Sequence, residues 1–526
     1  MRLRANLLCY FLLPLMPLAA QHNVLTIHND LARTGQYLTE TTLTPSNVSS
    51  STFGKLFQVT LDGVVDAQPL YVGGIPIPNQ GTHNVLIVAT ENDSLYALDA
   101  DTSSQLWRSA LLGSNETPSD DRGCDQVTPV IGITSTPVIA LNSGAGGAIF
   151  AVAMSKDSSG NYRQRLHKVS LATGLPLAAP VEIEAKYPGR ADGSEGGYVR
   201  FDPAQYKERA GLLLLGDGVI LSWASHCDDN PYTGWIMAYH AKTLKQISVI
   251  NVTPNGGRGA IWGAGAGLAA DTTGNIYFLD ANGEFDTTLN AQGFPNSGDY
   301  GNAFVKLSTK GGKLSVADYF TMYNTTSESD ADVDLGSGGA MLLPDMTDAN
   351  GKVQHLAIGA GKDGNFYLVN RDNMGKFNPN NDSAIYQELD GVLPGGIWSM
   401  PAYYNGQVYF GAVNGPIRAF QFTKAVLSST PASSTSGVYQ YPGSSPSISA
   451  NGPNNGILWA VESAGISVLH AYAAGNLAQE LYNSNQAANG RDNFGNANKF
   501  MVPTIANGKV YVGTPNGVAG FGLLSQ

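Results

Sequence analysis

The stretch HNVLIVATENDSLYALDADTSSQLW, residues 83–107, constrains this chain more than any other. Val85, Ile87 and Ala89 alternate with Leu86 and Val88, and the polar run Glu91-Asn92-Asp93-Ser94 turns the chain into Leu95-Tyr96-Ala97-Leu98. A second turn over residues 99–104 delivers Leu106-Trp107 to another strand. An antiparallel meander of this size carries one apolar face too many to be stable alone, so it must stack on copies of itself.

Degenerate copies recur to the C-terminus. The first runs from Asp66 to Trp107, and others begin at Thr134, Gly218, Gly267, Gly339, Met400 and Ser445. A last one begins at Met501 and stops three strands in, while residues 53–61 (FGKLFQVTL) read as a lone strand. That strand is the missing outer edge: closing the last blade with an N-terminal strand removes a free sheet edge and fastens the ring. The chain is therefore predicted to be all-β, a single eight-bladed β-propeller (seven blades as the fallback) over residues 21–526, closed by an N-terminal strand. Residues 28–35 (HNDLARTG) ahead of it read as a polar loop.

Residues 1–20 have two arginines, an apolar run and a small-residue end at Ala19-Ala20, the pattern of a secretory signal peptide. No later stretch is long and apolar enough to span a bilayer, so the expectation is an exported protein, secreted or periplasmic, without membrane insertion. The net charge of −12 argues against nucleic acid or anionic membrane as partner. Nothing in the sequence sets an oligomeric state. Cys124 and Cys227 survive removal of the leader and can form a disulfide in an oxidising compartment; two buried thiols are the other reading.

The tract over residues 96–107 resembles the repeat of quinoprotein alcohol dehydrogenase propellers, which carry an Ala, an Asp, a Thr-Gly turn and a docking Trp late in each blade. Leu171-Ala172-Thr173-Gly174 matches its core, and residues 29–35 with Leu43-Thr44-Pro45-Ser46-Asn47-Val48 resemble the family's N-terminal segment. The whole is similar to secreted members of unassigned activity, through residues 132–138, 226–228, 232–235 and 334–339. The resemblance implies pyrroloquinoline quinone (PQQ) and calcium as candidate cofactors. Its enzymes stack the quinone between a Trp and a disulfide of adjacent cysteines, and this chain has no adjacent cysteines.

Propeller ligands sit at the axial channel, near the ends of the inner strands. Trp262 and Trp398 stand in matching contexts, GAIWG and GIWSM, where they either face the channel and stack on a flat ligand or pack between blades. Asp66 and Gln68 precede the first inner strand, and Glu91 and Asp93 sit on its turn, as acid–base groups or as turn formers. His226, beside Cys227, is a candidate base or a structural hydrogen-bonder. An extended strand would put Asp330, Asp332 and Asp334 on one face, as a hard-cation site or as a solvated acidic loop.

No catalytic set is complete, so the sequence leaves open whether the protein is an enzyme. The leading expectation is a secreted propeller that binds a ligand (glycan, protein or small molecule) at its channel face. The alternative is a PQQ- and calcium-dependent alcohol or sugar dehydrogenase with Trp262 or Trp398 stacking the cofactor. A fainter one is a polysaccharide lyase or hydrolase.

Overall fold

Alternating apolar residues build eight antiparallel blades that follow one another around an axis, as the repeats predict. The computed structural model describes residues 23–144, 146–263 and 265–525; the expected signal peptide lies outside them. Blade 1 consists of Leu70–Ile77, Gly81–Thr90, Ser94–Asp99 and Gln105–Ala110. The inner strands of blades 2 to 7 are Val138–Ala140, Leu213–Leu215, Ala269–Ala270, Met341–Leu342, Ala402–Tyr404 and Ser447–Asn451. Blade 8 runs outward through Thr504–Ala506, Lys509–Thr514 and Gly517–Leu523 to Phe53–Thr60. The lone N-terminal strand is thus the outer edge of the last blade, paired from Phe53↔Leu523 to Thr60↔Gly517.

Blades dock through side chains that the repeat carries. Trp107 is 8% exposed and its indole N–H donates to the Leu171 carbonyl of blade 2 at 3.1 Å. Gly174, at φ 69°, lies under the ring; a Cβ there would sit 2.5 Å from the indole. That contact explains why a glycine ends the Ala-Thr-Gly turn of the next blade. The turn ahead of Trp107 is held by Asp99, whose Oδ1 accepts from the N–H groups of Asp101 (2.9 Å) and Thr102 (2.7 Å).

The HNDLARTG segment is not a surface loop. Residues 24–40 run across the inner end of the ring and touch every blade. Backbone hydrogen bonds link Val24 to Tyr71, Leu25 to Ile139, Leu31 to Ala270, Ala32 to Leu342, Thr34 to Tyr403 and Gly35 to Ile448. Ile27 packs on Gly211 of blade 3, and a Glu40 carboxylate oxygen accepts from Gly508 N–H of blade 8 at 3.1 Å. His28 and Arg33 fill the axis, each 0% exposed. Arg33 donates to the carbonyls of Leu268 (2.9 Å), Ile27 (2.8 Å) and Asp30 (3.2 Å) and to Thr26 Oγ1 (2.7 Å). Polar residues read as a loop because their partners, the backbones of eight different blades, are invisible to a local reading.

Gln68 belongs to this plug. Its side-chain oxygen accepts from His28 N–H at 2.8 Å, and its amide donates to Thr504 at 3.0 Å. The expectation that it faces a ligand is corrected accordingly.

Candidate functional site

With the inner end filled, the axis opens at the other end, where the chain enters each inner strand. Segments just ahead of these strands bring together Arg209, Trp262, Asp332, Asp334, Ser337, Trp398, Tyr441 and Phe500. Gln126, Asp228 and Lys362 complete the lining of a cavity of about 250 Å³. Trp262 and Trp398, 136 residues apart in sequence, share this one space because the ring places blades 4 and 6 around a common axis. Trp398 meets Tyr441 edge-on, with ring centroids 5.6 Å apart. The aromatic walls come from blades far apart in the chain.

A polar chain crosses the cavity. Asp334 adopts an extended backbone (φ −71°, ψ 153°) ahead of a short 3-10 turn, Leu335–Ser337. Gly361 lets the next blade approach: a Cβ there would lie 2.5 Å from the Asp334 carbonyl. That approach brings Lys362 Nζ to 2.7 Å from Asp334 Oδ1 and 2.5 Å from Asp332 Oδ1. Asn282 donates to Asp332 at 3.0 Å, and the Tyr232 hydroxyl donates to Asp228 at 2.8 Å. The Lys362–Asp334 contact is an ion pair by distance only, and neither Asp334 oxygen meets hydrogen-bond geometry with any described donor.

Burial pushes the Asp334 carboxyl above its ordinary range, more than the neighbouring Lys362 pulls it down. Burial also works against the charge of Lys362, but Asp334 and Asp332 outweigh it and hold the ammonium above its usual pKa. A carboxylate whose proton affinity is raised beside a fixed cation is suited to taking a proton from a hydroxyl.

The three spaced aspartates do not share a face. Residues Thr325–Asp330 form a helix, and Asp332 has φ 57°, so the extended strand that would align them is absent. Asp330 instead lines a neighbouring cavity of about 390 Å³ with Asp192, Arg258 and Glu284. Asp332 and Asp334 remain together, but the Lys362 ammonium already stands between them, occupies the place a cation would take and offsets one of their two charges. Among the described residues, no group of three or more His, Cys, Asp or Glu is arranged to hold a metal ion. This donor set does not fit calcium.

Other sequence-predicted residues lie behind the cavity. Glu91 is fully buried, and its Oε2 accepts from Gly132 N–H (2.7 Å) and the Thr134 hydroxyl (2.9 Å). Burial, then the charge of Asp66, holds Glu91 well above the carboxylate range. Asp66 accepts from Asn498 at 3.0 Å. Asp93 is buried against blade 2, away from the cavity, its carboxyl pushed up by desolvation. His226 is 3% exposed, both ring nitrogens lack hydrogen-bond partners, and burial lowers its pKa to about 3. Cys124 and Cys227 form a disulfide. It ties the loops that carry Gln126 and Asp228 to each other across a sequence separation of 103, a closure worth about 4–5 kcal/mol in loop entropy.

Sequence reading missed Lys362, Asp228 and Arg209. Their common signal is position, since each lies on a segment that leads into or out of a strand at the open end.

No sequence-family model matches the chain, and no curated protein matches it in sequence. Solved structures do match. The quinohemoprotein alcohol dehydrogenase ADHIIG of Pseudomonas putida superposes with a TM-score of 0.62 at 15% identity, over 96% of this chain and 81% of that one. The quinohemoprotein alcohol dehydrogenase of Comamonas testosteroni gives 0.62 at 14%, over 95% and 80%. A europium-containing methanol dehydrogenase gives 0.59 at 14%, over 95% and 90%. By its fold, the chain is an eight-bladed propeller of the quinoprotein alcohol dehydrogenase type.

Proposed function

We propose that the axial cavity is the active site of a quinoprotein-type oxidoreductase acting on alcohols or sugars, and that the protein is exported. The observation that carries the reading is the meeting of Trp262 and Trp398 with the Asp334–Lys362 pair in one buried space. A flat quinone fits the residues present: aromatic walls take its faces, and the unpartnered Arg209 guanidinium takes an acceptor. When bound, such a quinone supplies a two-electron acceptor. Asp334 takes the proton from the substrate hydroxyl, Lys362 holds that carboxylate in place, and the aromatic rings exclude water. No step is assigned to calcium.

The test is reconstitution with PQQ, with and without calcium, followed by dye reduction over a panel of alcohols and sugars. Dye reduction that is indifferent to calcium is expected, falling about a hundredfold or more in Asp334→Asn while PQQ binding persists. Wild-type protein that binds no PQQ and reduces no dye overturns the reading. Rate should rise with pH through the raised Asp334 pKa, since the deprotonated form is the base.

One observation favours a second reading, a non-catalytic module that binds a glycan, protein or small molecule. The disulfide joins Cys124 to Cys227 instead of adjacent cysteines, so the clasp that the resemblance implies is not built here. Glycan-array binding without quinone binding would establish that reading.

A further inference from the structure

On the face that carries the plug, a groove of about 800 Å³ lies between blades 2 and 3, within the size range of small-molecule sites. Residues 141–144, which follow the inner strand of blade 2, form part of its wall, so it sits at the end of the ring opposite the axial cavity. Leu25 of the plug, Ile139 and Leu141, Leu177 of blade 2 and Leu214 of blade 3 make the lining aliphatic. Leu141 and Leu177 are 36% and 42% exposed.

Lys168 enters this groove from the third strand of blade 2, Tyr162–Ser170. It stands opposite Phe150 on the neighbouring strand, with Nζ 5.6 Å from the ring centroid. Lys306 repeats the arrangement in blade 4, opposite Tyr277 and 5.7 Å from its ring. The two lysines differ in their partners. Lys306 donates to the Arg371 carbonyl at 2.6 Å, in a groove that Asp271, Asp345 and Asp372 also line. Lys168 is only 8% exposed and its ammonium has no hydrogen bond or ion pair among the described residues, yet it is not sealed from solvent. The Lys242 ammonium, on the blade 3 side of the groove, is unpaired as well. Burial first and the charge of Lys242 second lower the Lys168 pKa, and Asp217, the one acid in the lining, does not counter them. A cation held in an aliphatic wall is destabilising until a counter-charge meets it, and an apolar side chain would fill the place without that cost.

We propose that this groove binds a single-chain aliphatic carboxylate, a fatty acid, with its headgroup between Lys168 and Lys242 and its chain over Leu141 and Leu177. Charge complementarity selects the anion, and the lining selects the chain: no Trp, Tyr or Phe lines the groove to stack on a flat ligand. A peptide fits less well, since its backbone N–H and C=O groups need partners. The inner strand offers none at Ile139, whose N–H already donates to the Leu25 carbonyl of the plug at 2.9 Å. The site is independent of the function proposed for the axial cavity.

Isothermal titration calorimetry on the full chain tests this with three probes: octanoate, octanol (the chain without the charge) and butyrate (the charge without the chain). Wild type should bind octanoate at one site, about tenfold or more tighter than either of the others. Lys168→Met should weaken octanoate about tenfold and leave octanol unchanged, and Lys168→Arg should restore part of the loss. Lys242→Ala changes an exposed side chain, so it keeps the test open if Lys168→Met does not fold; it should weaken octanoate about threefold. Leu177→Ser should weaken octanoate and octanol alike, by about threefold. Wild type that binds no octanoate, or binds octanol equally well, overturns the proposal, as does octanoate binding indifferent to the lysine variants. Two further probes name what would replace it. Co-sedimentation with phosphatidylglycerol vesicles that depends on Lys168, without binding of free octanoate, overturns it in favour of a membrane surface. Binding of an acidic, leucine-rich peptide without octanoate binding overturns it in favour of a protein partner.

Discussion

Arg33 and Arg209 are both buried, one in the plug and one in the wall of the cavity, and the fold satisfies them to different degrees. Arg33, in the plug, spends Nε and Nη1 on three carbonyls and a hydroxyl and leaves only Nη2 without a partner, whereas no side-chain hydrogen bond holds Arg209 among the described residues. Arg209, in the cavity, lies on a phenylalanine with its Nη2 unpartnered. Two histidines repeat the contrast. His470 in blade 7 is clamped between Glu462 (2.9 Å) and Glu480 (2.7 Å), whereas His226 beside the cavity has no partner on either nitrogen. A buried polar group whose partners come from the fold serves stability. One left with few partners, beside a cavity, has donors to spare for a ligand.

The contrast breaks most easily at the plug. Arg33→Met removes four donated bonds and strands their acceptors, and a loss of about 3–5 kcal/mol is expected in denaturant unfolding. Arg209→Met should change stability by less than about 1 kcal/mol, because an unpaired buried charge is replaced by an apolar chain of similar volume. Equal losses in the two variants would erase the distinction.

The histidines sharpen it through pH. Each His470 nitrogen meets a carboxylate, which only the doubly protonated ring can satisfy. Burial opposes that charge, but Glu462 and Glu480 outweigh it and raise the pKa. The clamp's stability is therefore fully present below pH 6.5, the ordinary value of a histidine, and is lost as pH rises through the raised folded pKa. His470→Gln should cost about 2–3 kcal/mol at pH 6 and less at pH 9, measured by urea unfolding.

His226 has the opposite sign. Its pKa falls to about 3, so its contribution is full above 6.5 and is lost as pH falls toward 3. His226→Phe should shift stability by no more than about 1 kcal/mol at pH 8 and should flatten the acid limb of the profile between pH 6 and pH 4.

The ring was legible because alternation in each strand is a local property, and the lone strand at 53–60 betrayed itself by lacking neighbours in sequence. Trp262 and Trp398 could be singled out by matching contexts, although only closure of the ring shows that they share a cavity. The plug was misread since His28, Asn29, Asp30 and Arg33 look solvated until their distant partners are known. Lys362 carries no motif of its own; its role comes from Gly361 passing close to Asp334. Asp330 misled because a strand period was assumed where Asn324 begins a short helix.

The plug also governs traffic. With residues 24–40 bonded across every blade, the inner end of the axis is filled, so a ligand of the axial cavity would enter and leave by the other end. A second molecule sitting nearer the rim then bars the exit of the first. Were two ligands to share that one mouth, exchange of the inner should be slowed by saturating the outer.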